Sequence, residues 1–283
     1  MKYKLKCVSC GRIYDETIAI YTCDCNGKLE IELNLDNIQV ELAELRQRQP
    51  TKYLLPQKYF EFMPLLGDPA NVISLGEGYT PLLKAKRLAD KLNLKNLYIK
   101  NETTNPTGSF KDRPIIIGLN KALELGATVV ATASSGNAAN SLAAGAAKAN
   151  IKCVAFVSDT APTTKISQLL FYGAKVVRVK RPEGFVGDPT VVLLRKSYQK
   201  FGWHPVPSFG TLNPYQMEGA KTIAYEIAEQ LPPDAVIIPV GGGGLLRGNY
   251  QAFTEYIKLG FIDKMPRLYG VQAEGCAPLV KAY

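Results

Sequence analysis

From about residue 97 onward, short β-branched runs alternate with longer helix-forming runs, and that alternation constrains the chain most. It demands parallel strands whose faces are covered by the helices between them. Strands are expected at 97–100, 128–132, 152–157, 175–179, 235–240 and 267–272. Helices are expected over 84–92, 110–125, 138–149, 166–172, 191–200 and 215–230, and from the glycines at 241–244 to about 258. The strands fall into an early group, 128–179, and a later group, 235–272. Two α/β lobes with a cleft between them follow. The stretch 40–71, punctuated by Pro50, Pro56, Pro64 and Pro69, reads as a connecting segment packed on the main body.

Three strand-to-helix turns carry chemistry. In Asn105-Pro106-Thr107-Gly108-Ser109-Phe110-Lys111-Asp112-Arg113, Lys111 falls in the first turn of a helix. The positive end of the helix dipole disfavours a cation there. A lysine destabilised as a cation is more readily a neutral amine, the form that Schiff-base chemistry uses; the competing reading is an exposed lysine. Ser134-Ser135-Gly136-Asn137 closes the strand near Thr132 with hydroxyls, a permissive glycine and a helix start, a carboxylate-binding combination. Helix capping accounts for only part of that cluster. Gly241, Gly242, Gly243 and Gly244 follow the 235–240 strand, so backbone N–H groups can close around an anion. No Lys-Ser/Thr follows and no G-x-G-x-x-G spacing is present, which excludes a nucleotide P-loop and a dinucleotide fingerprint. A flexible loop is the alternative.

The first 25 residues hold four of the six cysteines, Cys7, Cys10, Cys23 and Cys25, each pair followed closely by glycine. Such spacing has the character of a zinc ribbon, although the second pair is C-x-C rather than C-x-x-C. A disulfide pair is the alternative, disfavoured in a reducing compartment. A ribbon this small has little core, so its zinc would stabilise rather than catalyse. The formal charge of +9 comes from cations scattered among acids, which suits attraction of anionic small molecules and not nucleic acid. No apolar run reaches the ~20 residues of a membrane span, and the basic start leads into no signal-peptide core, so the expected location is cytoplasmic. The one histidine, His204, cannot serve many proton transfers, which leaves lysine as the expected proton carrier.

The Gly-Ser-Phe-Lys-Asp-Arg, Ser-Ser-Gly-Asn and Gly-Gly-Gly-Gly segments, in this order, resemble those of the fold-type II pyridoxal-phosphate enzymes. Within that group the chain is most similar to the threonine synthase family. The similarity lies in Leu75-Gly76-Glu77-Gly78-Tyr79-Thr80-Pro81-Leu82, Asp112-Arg113, Asn213-Pro214-Tyr215 through Glu218-Gly219-Ala220-Lys221-Thr222, and the ribbon. It runs from about Ser74 to Val280. The resemblance implies that Lys111 holds pyridoxal phosphate and shuttles protons, and that Asn137 bonds the cofactor's phenolic oxygen. It implies that Gly241–Gly244 cradle the phosphate and that Ser134 and Ser135 receive the substrate carboxylate. The implied reaction turns O-phosphohomoserine and water into threonine and phosphate, on a small anionic amino acid, in a homodimer.

The expected division is a ribbon-like segment at 1–35, a large cofactor domain from 36–115 with 206–283, and a small α/β domain at 116–205. Ala138 stands where the family usually has Thr, Gln216 where it has Arg, and Gly210-Thr211 where it has Asn-Ser. Losing the Arg removes a bidentate contact to the substrate's phosphate; Lys221, Lys165 and Arg113 are the candidates to replace it. The sequence stops at Tyr283, ahead of family elements that include a Ser or Thr at the pyridine nitrogen, so a truncated form or a sheet edge supplied otherwise is expected. A serine/threonine dehydratase and a non-catalytic paralogue are the alternative readings.

Overall fold

The computed structural model describes residues 1–282. Its N-terminal strands β1 (Tyr3–Cys7), β2 (Ile13–Asp15) and β3 (Leu29–Leu33) form an antiparallel sheet in the order β2-β1-β3. Tyr3, Leu5 and Cys7 alternate inward along β1, the period-two pattern of a half-buried strand. They build a small core with Tyr14, Tyr21, Leu29 and Ile31, which Tyr215 of the main body completes. The ribbon is therefore docked on the body rather than tethered to it.

The connecting segment contains helices α1 (Leu42–Gln47) and α2 (Leu55–Lys58) and packs Leu45, Leu55, Tyr59 and Phe62 into the body. Strands β4 (Leu82–Lys84) and β5 (Tyr98–Lys100) make a two-stranded antiparallel ladder around α3 (Lys86–Lys91). The helix expected from residue 84 thus begins two residues later, because Lys84 is spent on β4.

Helix α4 (Asp112–Glu124) is buried from Asp112 through Ala122. Ile115, Ile116 and Leu119 face one hydrophobic core and Ile117 faces another, so α4 is the wall shared by both. It runs unbroken through 115–116, and the domain boundary expected there lies inside a helix. Next come β6 (Val129–Ala133), α5 (Asn137–Lys148), β7 (Lys152–Ser158), α6 (Thr163–Phe171), β8 (Lys175–Val179), α7 (Pro189–Phe201) and β9 (His204–Pro205). The strands pair in parallel in the order β8-β7-β6-β9. Apolar residues on both faces of β6 and β7 match their position between helix layers.

The helix expected at 215–230 is split into a 3₁₀ segment, Tyr215–Ala220, and α8 (Lys221–Gln230). Close packing explains the tighter coil. A Cβ on Gly118 of α4 would meet Gln216, and one on Gly219 would strike the Arg113 carbonyl. These two glycines let the 3₁₀ segment lie against α4 backbone to backbone. Beyond α8, β10 (Ala235–Pro239) and β11 (Arg267–Val271) pair in parallel around α9 (Gly244–Lys258), followed by α10 (Pro278–Ala282). Among the described residues no helix is long and apolar enough to cross a membrane.

Candidate active site

The N-terminal end of α4 and the N-terminal end of α9 meet in a cavity of about 490 Å³. Lys111 sits at the cap position of α4, where its backbone N–H donates to the Ser109 hydroxyl at 3.3 Å. Asp112 ties down the preceding turn by accepting from the Thr107 N–H at 2.8 Å and the Thr107 hydroxyl at 2.5 Å. The Lys111 ammonium has no carboxylate partner among the described residues; its nearest notable neighbour is the Phe110 ring, 4.7 Å from Nζ to centroid. Burial alone pushes its pKa below the ordinary lysine value. An unpaired, desolvated amine is a nucleophile in waiting.

Across the cavity lies the loop Gly241–Gly244. The N–H groups of Gly241, Gly242 and Gly243 donate to no protein acceptor among the described residues. Added Cβ atoms on these three would meet nothing within 4 Å, so no neighbouring side chain requires glycine there. Gly243 has φ +80°, a left-handed conformation that does favour glycine and aims the loop into α9. Unpaired N–H groups at the start of a 15-residue helix form an anion cradle. A cofactor with a phosphate at one end and an amine-reactive carbonyl at the other fits this pair of features, cradle and free amine, in one cavity.

Pro207, Ser208, Gln216, Met217, Val271 and Ala273 complete much of the wall, none of them singled out from the sequence for that role except Gln216. Gln216 is buried, its Nε2 donates to the Phe209 carbonyl at 3.1 Å, and its Oε1 has no partner. Ser134, Ser135 and Asn137 are not among the lining residues. They form the turn between β6 and α5, with Asn137 exposed and the Gly136 N–H bonded to the Ser134 hydroxyl at 3.2 Å. Ala138 is buried behind them in the core of the four-stranded sheet.

Two of the candidate replacements for the missing Arg are ruled out by their partners. Arg113 is wholly buried and bonds Glu102 at 2.7 Å and Glu226 at 2.8 Å. Lys221, equally buried, bridges Glu218 at 2.8 Å and Glu255 at 3.0 Å. Both cations are neutralised inside the body and cannot turn to a ligand. Lys165 is exposed on α6 and does not line the cavity. His204 accepts or donates at Nδ1 to the Tyr21 hydroxyl, 2.7 Å away, and so belongs to the ribbon's seat rather than to the cavity.

The sulfur atoms of Cys7, Cys10, Cys23 and Cys25 all lie within 4.8 Å of one another. Cys7 to Cys25 is 3.5 Å and Cys10 to Cys23 is 3.6 Å. Tetrahedral coordination with metal–sulfur bonds of about 2.3 Å calls for separations of about 3.8 Å. Hydrogen bonds led by the Tyr14 hydroxyl, 3.0 Å from Cys23, lower that thiol to about 6, towards the thiolate a metal requires, while the neighbouring sulfurs push Cys25 up. The cluster fits a four-sulfur metal site.

Residues 73–283 match the family described as pyridoxal-phosphate dependent enzyme. The chain belongs to that family and has its fold-type II α/β architecture. Its relatives include the threonine synthases of Methanocaldococcus jannaschii and Methanosarcina acetivorans. The first is 39% identical over 98% of this chain and 67% of its own length. The second is 39% identical over 99% of this chain and 67% of its own. The chain thus spans about two thirds of these relatives. Among solved structures, the processed form of threonine deaminase isoform 2 from Solanum lycopersicum superposes with a TM-score of 0.59 at 30% identity. That match covers 70% of this chain and 52% of the deaminase.

Proposed function

We propose that this chain is a threonine synthase, converting O-phosphohomoserine and water to threonine and phosphate. The observation that carries the reading is the unpaired Lys111 amine facing the free N–H groups of Gly241–Gly243 across one cavity. It is joined to two threonine synthase relatives at 39% identity over nearly the whole chain. Lys111 would hold the pyridoxal phosphate and Gly241–Gly244 its phosphate. When bound, the cofactor supplies an electron sink for charge released at the substrate's α-carbon. The chain's own work is then proton traffic and exclusion of water. The neutral Lys111 amine takes protons from substrate carbon and returns them, one group serving several transfers. Phe110, Met217 and Val271 keep the reacting region apolar. By the family resemblance alone, Ser134, Ser135 and the start of α5 would receive the substrate's carboxylate and Asn137 would bond the cofactor's ring oxygen, although none of these three side chains lines the cavity.

The Cys7, Cys10, Cys23 and Cys25 cluster would hold a structural zinc. The same reading places the enzyme in the cytoplasm as a homodimer, divided into the ribbon at 1–35, a large cofactor unit and a small unit at 116–205. A dehydratase acting on serine or threonine is the second reading. It is favoured by one observation: among the described residues Lys111 is the only cation lining the main cavity, so no second charged side chain there meets a substrate phosphate.

The test is to purify the protein with pyridoxal phosphate and record the cofactor's long-wavelength absorbance in wild type and Lys111→Ala. Phosphate release from O-phosphohomoserine is then compared with keto-acid formation from threonine. A band lost in the variant, with phosphate release, is the expected result. Keto acid without phosphate release selects the dehydratase, and absence of any band in wild type sinks both readings.

A further inference from the structure

A second cavity of about 190 Å³ abuts the first, sharing Ser208, Met217 and Gly242–Gly244 as walls. It adds two cations that the main cavity lacks, Lys28 and Arg247. They arrive from distant parts of the chain. Lys28 follows the second cysteine pair of the ribbon, and its carbonyl accepts from the Val8 N–H, inside the first pair, at 3.0 Å. Its backbone is thereby fixed between the two knuckles. Its side chain lies along Gly210, with Cε 3.5 Å from where a Cβ on that glycine would be. Arg247 is in the first turn of α9, immediately beyond the glycine loop.

Both cations lean on one carboxylate. Glu30 is 2.9 Å from Lys28 Nζ and 3.3 Å from Arg247 Nε. The next acid, Glu218, is 3.9 Å from Arg247 Nη1 and is already held by Lys221 at 2.8 Å. Donors are left over: Arg247 Nη2 bonds no acceptor among the described residues, and Lys28 uses one of its three N–H groups. Each cation is about one-third exposed, so an incoming anion can reach it without unfolding anything. A guanidinium and an ammonium with donors to spare, standing just outside the glycine loop assigned to the cofactor's phosphate, are the partners that a second phosphate monoester takes.

We propose that Lys28 and Arg247 form the subsite for the phosphate of the amino-acid substrate, supplying the cationic contact that Gln216 cannot. The inference rests on the threonine synthase reading and deepens it. The ribbon then contributes a specificity-determining side chain to the active site, and its cysteine cluster sets where that side chain stands.

The test uses the cofactor-loaded full chain with Lys28→Met, Lys28→Arg and Arg247→Gln. Steady-state kinetics on O-phosphohomoserine are paired with calorimetric binding of inorganic phosphate and with cofactor affinity. Losing one charge-assisted contact amounts to about ten- to hundredfold. Lys28→Met is expected to raise KM for O-phosphohomoserine and weaken phosphate binding by that factor, with kcat and cofactor affinity near wild type. Lys28→Arg, which keeps the charge, is expected to recover most of the loss, and it carries the test if Lys28→Met folds poorly. Wild-type KM and phosphate affinity in Lys28→Met and Arg247→Gln, in an enzyme that does release phosphate, would overturn the subsite. If wild type releases no phosphate, the threonine synthase reading fails and the substrate assignment falls with it, and calorimetry then decides separately whether Lys28 and Arg247 form a phosphate site. Binding of inorganic phosphate that Lys28→Met abolishes supports it, and binding that is absent or unchanged removes it.

Discussion

Lys111 and Arg113 stand two residues apart at the start of one helix, and the fold treats their charges in opposite ways. Arg113 is wholly buried and every edge of its guanidinium is met, by Glu102, Glu226, Thr80 and Thr222. Lys100 joins the same Glu226 at 2.7 Å. Lys111, half-buried, is also desolvated, yet has no carboxylate partner among the described residues. A buried cation with partners is fixed in its charged form and serves structure. A buried cation without them is pushed towards the neutral amine, which is useful only for chemistry. The lesson is that function here is marked by a missing ion pair rather than by a present one.

Breaking the comparison at Lys111 should give the largest effect. Lys111→Ala is expected to lower turnover by more than about a thousandfold, the order for removing a positioned acid–base group. Its thermal midpoint should change little, because no ion pair is lost. Steady-state assay beside a melting curve checks both halves. Arg113→Met should do the reverse. Removing one member of a buried ion network costs about 3–5 kcal/mol, read as a lower denaturation midpoint, with activity falling only as folded protein is lost.

The pH dependence sharpens the contrast further. Arg113, with Lys100, offsets burial and holds Glu226 at about 2, below its ordinary 4.5. A carboxylate whose folded pKa is depressed contributes stability above its unfolded value and loses it as pH falls. Stability from this network is therefore expected to be intact above about 4.5 and to drain away between there and about 2, followed by urea titrations at each pH. The Lys111 pKa is lowered too, but for an amine that favours the neutral form. Its lowered pKa means that raising pH neutralises it more easily in the folded protein, so the rate of cofactor loading should climb with pH and level off below the ordinary lysine value. The smallest structural effect is expected at Gly242→Ala. With nothing within 4 Å of the new methyl group, stability should stay within about 0.5 kcal/mol of wild type. Cofactor affinity should still fall, because the methyl group occupies the space the phosphate needs; equilibrium dialysis against pyridoxal phosphate reads it.

Much of the architecture was legible because local pattern and burial agree. The parallel strands at 128–132, 152–157, 175–179, 235–240 and 267–272 all appear, within a residue or two, as β6, β7, β8, β10 and β11. Departures occur where tertiary packing overrides local preference. The 215–230 helix is tightened at its start by contact with α4 through Gly118 and Gly219. The strand His204–Pro205, two residues long, has no pattern of its own and exists only because β6 offers an edge.

Lys111, the glycine loop and the cysteine cluster could be read from the sequence because each depends on neighbours close along the chain. A glycine run after a strand and a lysine at a helix start are local facts, set by backbone geometry and the helix dipole. Tertiary structure decided the rest. Only the fold neutralises Arg113 and Lys221 with acids as much as 113 residues away while leaving Lys111 alone. Only the fold brings ribbon residue Lys28 beside Arg247 at the glycine loop. Charge pairing through space has no period along the chain, and so leaves no local signature in a sequence.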